Sequence, residues 1–400
     1  MKKLGLYIHV PFCAAKCPYC DFYSVKLSGA KKAKVHADYA AALIKQMKEY
    51  GLPAKNTALT PDTVYIGGGT PTVIGGALLL KIIKNMKNSF ELQNNAEFTI
   101  EANPATVDLK GLKKLKKAGV NRLSLGLQSV HNKELRALSR RYGFADFLEC
   151  FKNARAAGFD NISIDVMYGA PTQTPASFYD TLKRVAAVDP EHISAYGLKI
   201  EPGTPFHKNI AQIRDYLPGE SEQRDMYLRC CDFLGKRGYN HYEISNFAKP
   251  GYECRHNLKY WTCCEYLGLG TGAHSYFGGS RFSFKKSIKD YIRNFEADAD
   301  KLKNVDMFDR DKYSLFEEYI EIEPNERIGE YIMLHLRLKA GINKNDFARL
   351  FLKDFDSLYY KKIEPFIGSG HIVQTLGGYA FSLEGMLVSN YILSRIIEFE

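Results

Sequence analysis

The stretch YIHVPFCAAKCPYCDFYS, residues 7–24, carries three cysteines, Cys13, Cys17 and Cys20, spaced C-x3-C-x2-C directly behind a β-rich apolar run. A closed tetrahedral zinc site takes four ligands. His9 precedes the loop, but strand geometry need not turn it inward, and the other cysteines are remote in the chain. Three thiolates suit a cubane iron-sulfur cluster, in which three irons take cysteine and the fourth stays open for an outside ligand. Zinc and buried free thiols are the competing readings of the same spacing.

Outward from this loop the chain settles into a regular beat. Strand-like LGLYIHV (4–10) is followed by a helical pattern over residues 37–50 that stops at Gly51, then strand DTVYIGGGTP (62–71) and a helix after it. Strands AEFTIEANP (96–104), VNRLSLGLQS (120–129), NISIDVMYG (161–169) and HISAYGLKI (192–200) continue the alternation. Six strand-helix alternations predict an α/β fold with parallel pairing through right-handed crossovers, either an open doubly wound sheet or a full or partial barrel. In both, the C-terminal ends of the strands form the functional mouth. Those ends carry Gly67, Gly68, Gly69 and Thr70, then Glu101 and Asn103, Gln128 and Ser129, Asp165, and Tyr196. The beat is lost near residues 210–240. Residues 241–277 read as an irregular Gly- and aromatic-rich segment, and the chain closes with helices about Gly341, a small hairpin and a last helix. The expected organisation is a core over 1–210, a connecting segment over 211–300 and a mainly helical domain over 301–400.

Composition narrows the function classes. With 400 residues, 45% of them hydrophobic and 25% charged, the chain has material for a large core, and disorder is not expected. The formal charge of +10 is spread over many lysines rather than gathered in an arm, which reads as solvated helix faces and not as nucleic-acid binding. The N-terminus lacks the features of a secretory signal, and no run of about 18 apolar residues predicts a membrane span. The nine cysteines are not grouped as a secreted disulfide framework would group them, and they suit a reducing cytoplasm.

The cysteine loop behind the first strand, Tyr19 before Cys20, and GGGTP at the next strand end together resemble the radical S-adenosylmethionine superfamily. That resemblance implies a partial (β/α)6 barrel, a 4Fe-4S cluster on Cys13, Cys17 and Cys20, and S-adenosylmethionine on the open iron. It further implies a cofactor pocket made by Tyr7, Tyr19, Gly68, Gly69, Thr70, Glu101, Gln128, Arg140 and Asp165. Around Arg140 the chain departs from the family, with Ser139 and Tyr142 where glycine and histidine are expected, and Arg141 alongside.

Within the superfamily, YIHVPFC, GGGTPT, LGLQS, DVMYGAPTQT, EPGTP and YIMLHLRLKAGI resemble the group of oxygen-independent coproporphyrinogen III oxidase, over nearly the whole chain. The oxidase branch carries a further cysteine where this chain has Phe22, together with a long N-terminal extension. The heme-chaperone branch, of HemW type, is marked by H-N-x-x-Y-W, here HNLKYW from His256 to the chain's single tryptophan, Trp261. The resemblance implies heme held by His256, with Cys254 as a rival ligand, and its transfer to an acceptor heme protein, respiratory and membrane-bound or otherwise. A homodimer is compatible with it. The cluster is left with assembly, dimerisation or release as roles. Oxidative decarboxylation of coproporphyrinogen III is the alternative, and a purely structural HNLKYW the third reading. Cys263 and Cys264 with Cys254 are a weaker second metal candidate, while Cys230, Cys231 and His335 read as packing residues.

Overall fold

The computed structural model describes residues 2–56, 59–296 and 315–397. Six parallel strands follow the predicted beat: β1 (Lys2–Val10), β2 (Leu59–Gly68), β3 (Glu97–Ala102), β4 (Arg122–Gln128), β5 (Ile162–Tyr168) and β6 (His192–Gly197), paired in that order. This is the α/β, partial-barrel core that the sequence predicts. Each strand alternates with period two. Leu4, Leu6, Ile8 and Val10 of β1, and Leu123, Leu125 and Leu127 of β4, are fully buried in the core with Tyr39, Leu43, Met47, Ile82 and Ile83 of the covering helices. The opposite positions are polar and face the lumen: Tyr7 and His9, Tyr65, Glu101, Ser124 and Gln128, Asp165, Ser194 and Tyr196. In-register pairing sets Tyr7 beside Tyr65, Glu101 beside Ser124, and Asp165 beside Ser194.

Two expectations are corrected. The helix after the cysteine loop runs Lys32–Asn56, straight through Gly51. Gly51 serves packing and not termination, because a Cβ there would strike the Ser89 backbone of the helix Gly76–Ser89. Residues 241–277 are regular: β7 (Asn240–Glu243), β8 (Asn246–Ala248), a helix Arg255–Trp261, β9 (Tyr266–Leu269) and β10 (His274–Phe277). With β11 (Ser280–Phe284) and β12 (Phe316–Glu321) they extend the barrel sheet to twelve strands, ordered β12-β11-β10-β9-β1-β2-β3-β4-β5-β6-β8-β7. Within the expected connecting segment 211–300 the strands between residues 240 and 284 join the sheet, and so does β12 within the expected 301–400 domain; residues 297–314 lie outside the described residues. After β12 the chain is mainly helical, around a three-stranded sheet of Ile342–Asn343, Gly378–Phe381 and Ile372–Gln374.

Candidate cluster pocket and adjoining cavity

The cysteine loop is tied down by its own backbone. Val25 N–H donates to the Pro11 carbonyl (2.8 Å), Cys13 N–H to Val25 (3.0 Å) and Cys20 N–H to Cys17 (3.2 Å). It also leans on the end of β2, where Gly69 and Thr70 N–H donate to the carbonyls of Val10 (3.0 Å) and Phe12 (2.8 Å). Close packing explains two of the three glycines. A Cβ on Gly69 would meet the Phe12 backbone, and Gly68, at φ 103°, would drive one into the His9 ring. Gly69 is thus required by the close approach of the cysteine loop, and Gly68 by its positive φ and its contact with the His9 ring.

The three thiols line one cavity of about 160 Å³ together with Tyr19, Gly68, Gly69, Thr70, Glu101, Gln128, Arg140 and Asp165. Burial and the neighbouring thiols push Cys13 up and Cys20 to about 11. Metal binding needs the thiolates, so loading the site displaces these protons to solvent. Among the described residues no three His, Cys, Asp or Glu side chains converge on a position for a single metal ion. Cys13, Cys17 and Cys20 lining one cavity is the arrangement that a cluster held through three of its irons requires.

Arg140 organises the far wall. It donates to the Tyr19 hydroxyl (2.5 Å), the Tyr142 hydroxyl (2.9 Å) and Asn103 Oδ1 (3.1 Å), while its buried Nε has no partner. An unpartnered guanidinium N–H at this wall is fitted to an anionic ligand group. The departures noted beside Arg140 are accommodated: Ser139 takes the left-handed conformation at φ 57° that glycine would favour, and Tyr142 donates to the Gly126 carbonyl (2.5 Å). Glu101 accepts from Tyr65 (2.9 Å) and Gly68 N–H (3.1 Å), and burial with the nearby Asp165 raises it to about 7. Asp165 accepts from Ser124 (3.1 Å) and is also raised, chiefly by burial. Gln128, at φ 76° on a β-bulge, accepts from Tyr196 (2.7 Å). Ser129, by contrast, turns away to donate to buried Glu134 (2.6 Å).

Tyr7 stands outside this pocket. It lines an adjoining cavity of about 530 Å³ walled by Tyr65, Tyr260 and Tyr266, with His9, His256 and His274 among its lining residues. Phe22, Gly68 and Glu101 are common to both cavities. Phe22 is 69% exposed at that junction, in place of the further cysteine of the oxidase pattern.

His256 and Cys254 sit differently from the expectation of an available iron ligand. The His256 ring is 1% exposed and both its nitrogens are engaged, Nδ1 with Thr63 Oγ1 (2.9 Å) and Nε2 with Tyr260 OH (2.7 Å). Burial, then Lys259 and Arg122, lowers it to about 3. Cys254 is buried away from the cavity with its thiol donating to Glu97 (3.6 Å), and burial raises it to about 12. The HNLKYW helix is a plug inside the barrel. The N–H groups of Arg255 and His256 donate to the two Glu97 oxygens (3.0 Å each), and Lys259 is paired with Asp62 (2.6 Å), both buried. Cys264 is exposed and joins no ligand cluster, Cys230 and Cys231 are core residues, and His335 stacks on Tyr331 at 3.6 Å.

The motif reading missed Ser124 in the pocket and Tyr142 behind it, bonded to Arg140, and His9, Tyr65, Tyr260, Tyr266 and His274 in the cavity. The polar positions of the alternating strands, not only their ends, are the signal that points to Ser124, His9 and Tyr65.

Residues 7–185 match the radical SAM superfamily model, and residues 322–388 match the HemN C-terminal domain. A Bacillus subtilis protein named heme chaperone HemW is 33% identical over 98% of both chains, and its Escherichia coli namesake is 36% identical over 68% of this chain and 70% of its own. The chain belongs to the HemW family. Among solved structures, the coproporphyrinogen III oxidase HemN of Escherichia coli superposes with a TM-score of 0.81 at 23% identity, covering 100% of this chain and 91% of that one, which shows the shared fold. Membership in the radical SAM superfamily implies a 4Fe-4S cluster and S-adenosylmethionine. Among the described residues, no helix of this HemW family member is long and apolar enough to cross a membrane.

Proposed function

We propose that this chain is a heme carrier on a radical SAM scaffold, which binds heme in the tyrosine-walled cavity and passes it to an acceptor heme protein, respiratory or otherwise, in the cytoplasm. The observation that carries this reading is the cavity itself. At about 530 Å³ it lies within the roughly 300–1,000 Å³ of cofactor-sized sites, with tyrosines to cover a macrocycle and imidazoles within it. The names of the relatives support it, as do nine free cysteines for a reducing compartment.

Cys13, Cys17 and Cys20 would hold the 4Fe-4S cluster. When bound, the cluster supplies an open iron for S-adenosylmethionine and a source of one electron. Glu101 and Asp165 offer acceptors for an ammonium or ribose hydroxyls, and Arg140 offers donors for a carboxylate. Tyr19, Gly68, Gly69, Thr70 and Gln128 complete that pocket, with Tyr7 on the heme side. The HNLKYW helix, through Tyr260 and His256, forms the inner wall of the heme cavity.

The test is a heme titration of anaerobically reconstituted protein, followed at the Soret band, beside a coproporphyrinogen III decarboxylation assay. Saturable one-to-one binding without decarboxylation is the expected result. Decarboxylation, or heme uptake that never saturates, overturns the carrier reading.

A further inference from the structure

We propose that His274 is the side chain that ligates heme iron, with Lys286 beside it receiving a heme propionate; this rests on the carrier reading above. Three imidazoles line the cavity, and they differ in what they have left to give. His9 is spent: its Nε2 donates to the Tyr23 carbonyl (2.8 Å) and its Nδ1 accepts from the Tyr7 hydroxyl (2.9 Å). His256 is spent between Thr63 and Tyr260. Iron binding by either ring would break a buried hydrogen bond and leave a hydroxyl or carbonyl without its partner. The His274 ring makes no hydrogen bond to any described residue, and it stands exposed as the first residue of β10, where an incoming ligand reaches it.

The backbone that presents His274 is fixed before any ligand arrives. Gly270 N–H donates to Gln46 (2.8 Å), Thr271 N–H to the Tyr39 hydroxyl (3.3 Å), and Thr271 Oγ1 to the Lys285 carbonyl (2.6 Å). The last bond ties the segment before His274 to the residue preceding Lys286. Lys286 lines the same cavity and lies near enough for its charge, after partial burial, to lower the imidazole, with Arg281 acting the same way and Glu318 opposing. An ammonium beside an unengaged imidazole, at the rim of an aromatic cavity, matches a molecule with a central metal and peripheral carboxylates.

The test is the heme titration of reconstituted full-length protein, with the iron's ligation read by magnetic circular dichroism and electron paramagnetic resonance. His274→Ala is expected to bind heme about tenfold more weakly or worse and to lose the histidine-iron signature, which added imidazole restores. Lys286→Met is expected to weaken binding by about threefold while keeping the signature. His256→Gln is expected to keep the signature, whatever it does to the melting temperature. Unchanged affinity and signature in His274→Ala, or loss of the signature in His256→Gln alone, overturns the ligand assignment and leaves the carrier reading standing. Failure of the wild type to bind heme saturably overturns both.

Discussion

Glu101 shows how one buried carboxyl couples the cluster pocket to pH. Burial and the facing Asp165 hold it near 7, above the ordinary 4.5. A raised pKa means that the ligand-free fold is favoured by protonation: this contribution is complete below about 4.5 and is lost as the pH rises through about 7. A bound ammonium needs the ionised form and so has the opposite slope. S-adenosylmethionine affinity is expected to rise up to about tenfold from pH 6 to pH 8, and in Glu101→Gln to be weak and flat. Equilibrium dialysis at constant ionic strength measures both; a parallel slope in the variant would remove Glu101 from the role. Ser139 makes a separate prediction. Its left-handed backbone costs a non-glycine residue about 1–2 kcal/mol, and glycine returns roughly 0.5–1 kcal/mol of that as chain entropy. Ser139→Gly is expected to raise the unfolding free energy by about 0.5–1 kcal/mol in urea without moving Arg140.

At the scale of elements, the HNLKYW helix is anchored by groups from distant strands, which gives asymmetric mutational costs. Asp62→Ala strands the buried Lys259 ammonium, and a loss of about 3–5 kcal/mol is expected. Lys259→Met is expected to cost clearly less, because Asp62 keeps Arg255 at 3.5 Å. Equal costs in urea unfolding would mean that the pair is not what pins the helix. The same helix shows where sequence reading stops. The six parallel strands were legible because each is a buried run bounded by turns and followed by a helix, a local pattern. The pocket residues were legible where a motif sits at a strand end, as with Thr70 and Glu101. β7 to β10 are only three or four residues long, and the helix between them is fixed by Glu97, some 159 residues away from His256. No local period records such a contact, so the segment read as irregular. His256 was legible as a marked residue, but whether its ring nitrogens were free depended on Thr63 and Tyr260 in three dimensions.

For the whole molecule, the continuity of the core decides how it unfolds. One cluster of buried side chains runs from Leu4 on β1 through Met226 and Leu234 of the helix Glu220–Gly235 to Phe347, Phe381 and Ile397. Across the join between barrel and C-terminal region, Ile244 N–H donates to the Arg337 carbonyl (3.1 Å) and Lys339 N–H to the Tyr242 carbonyl (3.0 Å), while the Tyr227 hydroxyl meets Met386 Sδ (3.3 Å). An interface that shares a core and backbone hydrogen bonds is unlike the polar, separable contact between independent domains. The described parts of the chain therefore act as one cooperative unit, although the C-terminal residues match a domain model of their own. Scanning calorimetry of the anaerobic protein is expected to give a single transition, with equal calorimetric and van't Hoff enthalpies. Tyr227→Ala, which opens a cavity at the join, is expected to lower that one transition by an amount set by about 3–5 kcal/mol. Two resolved transitions, with only the smaller one moved by Tyr227→Ala, would mean that the C-terminal region folds on its own and that the barrel holds its cavity without it.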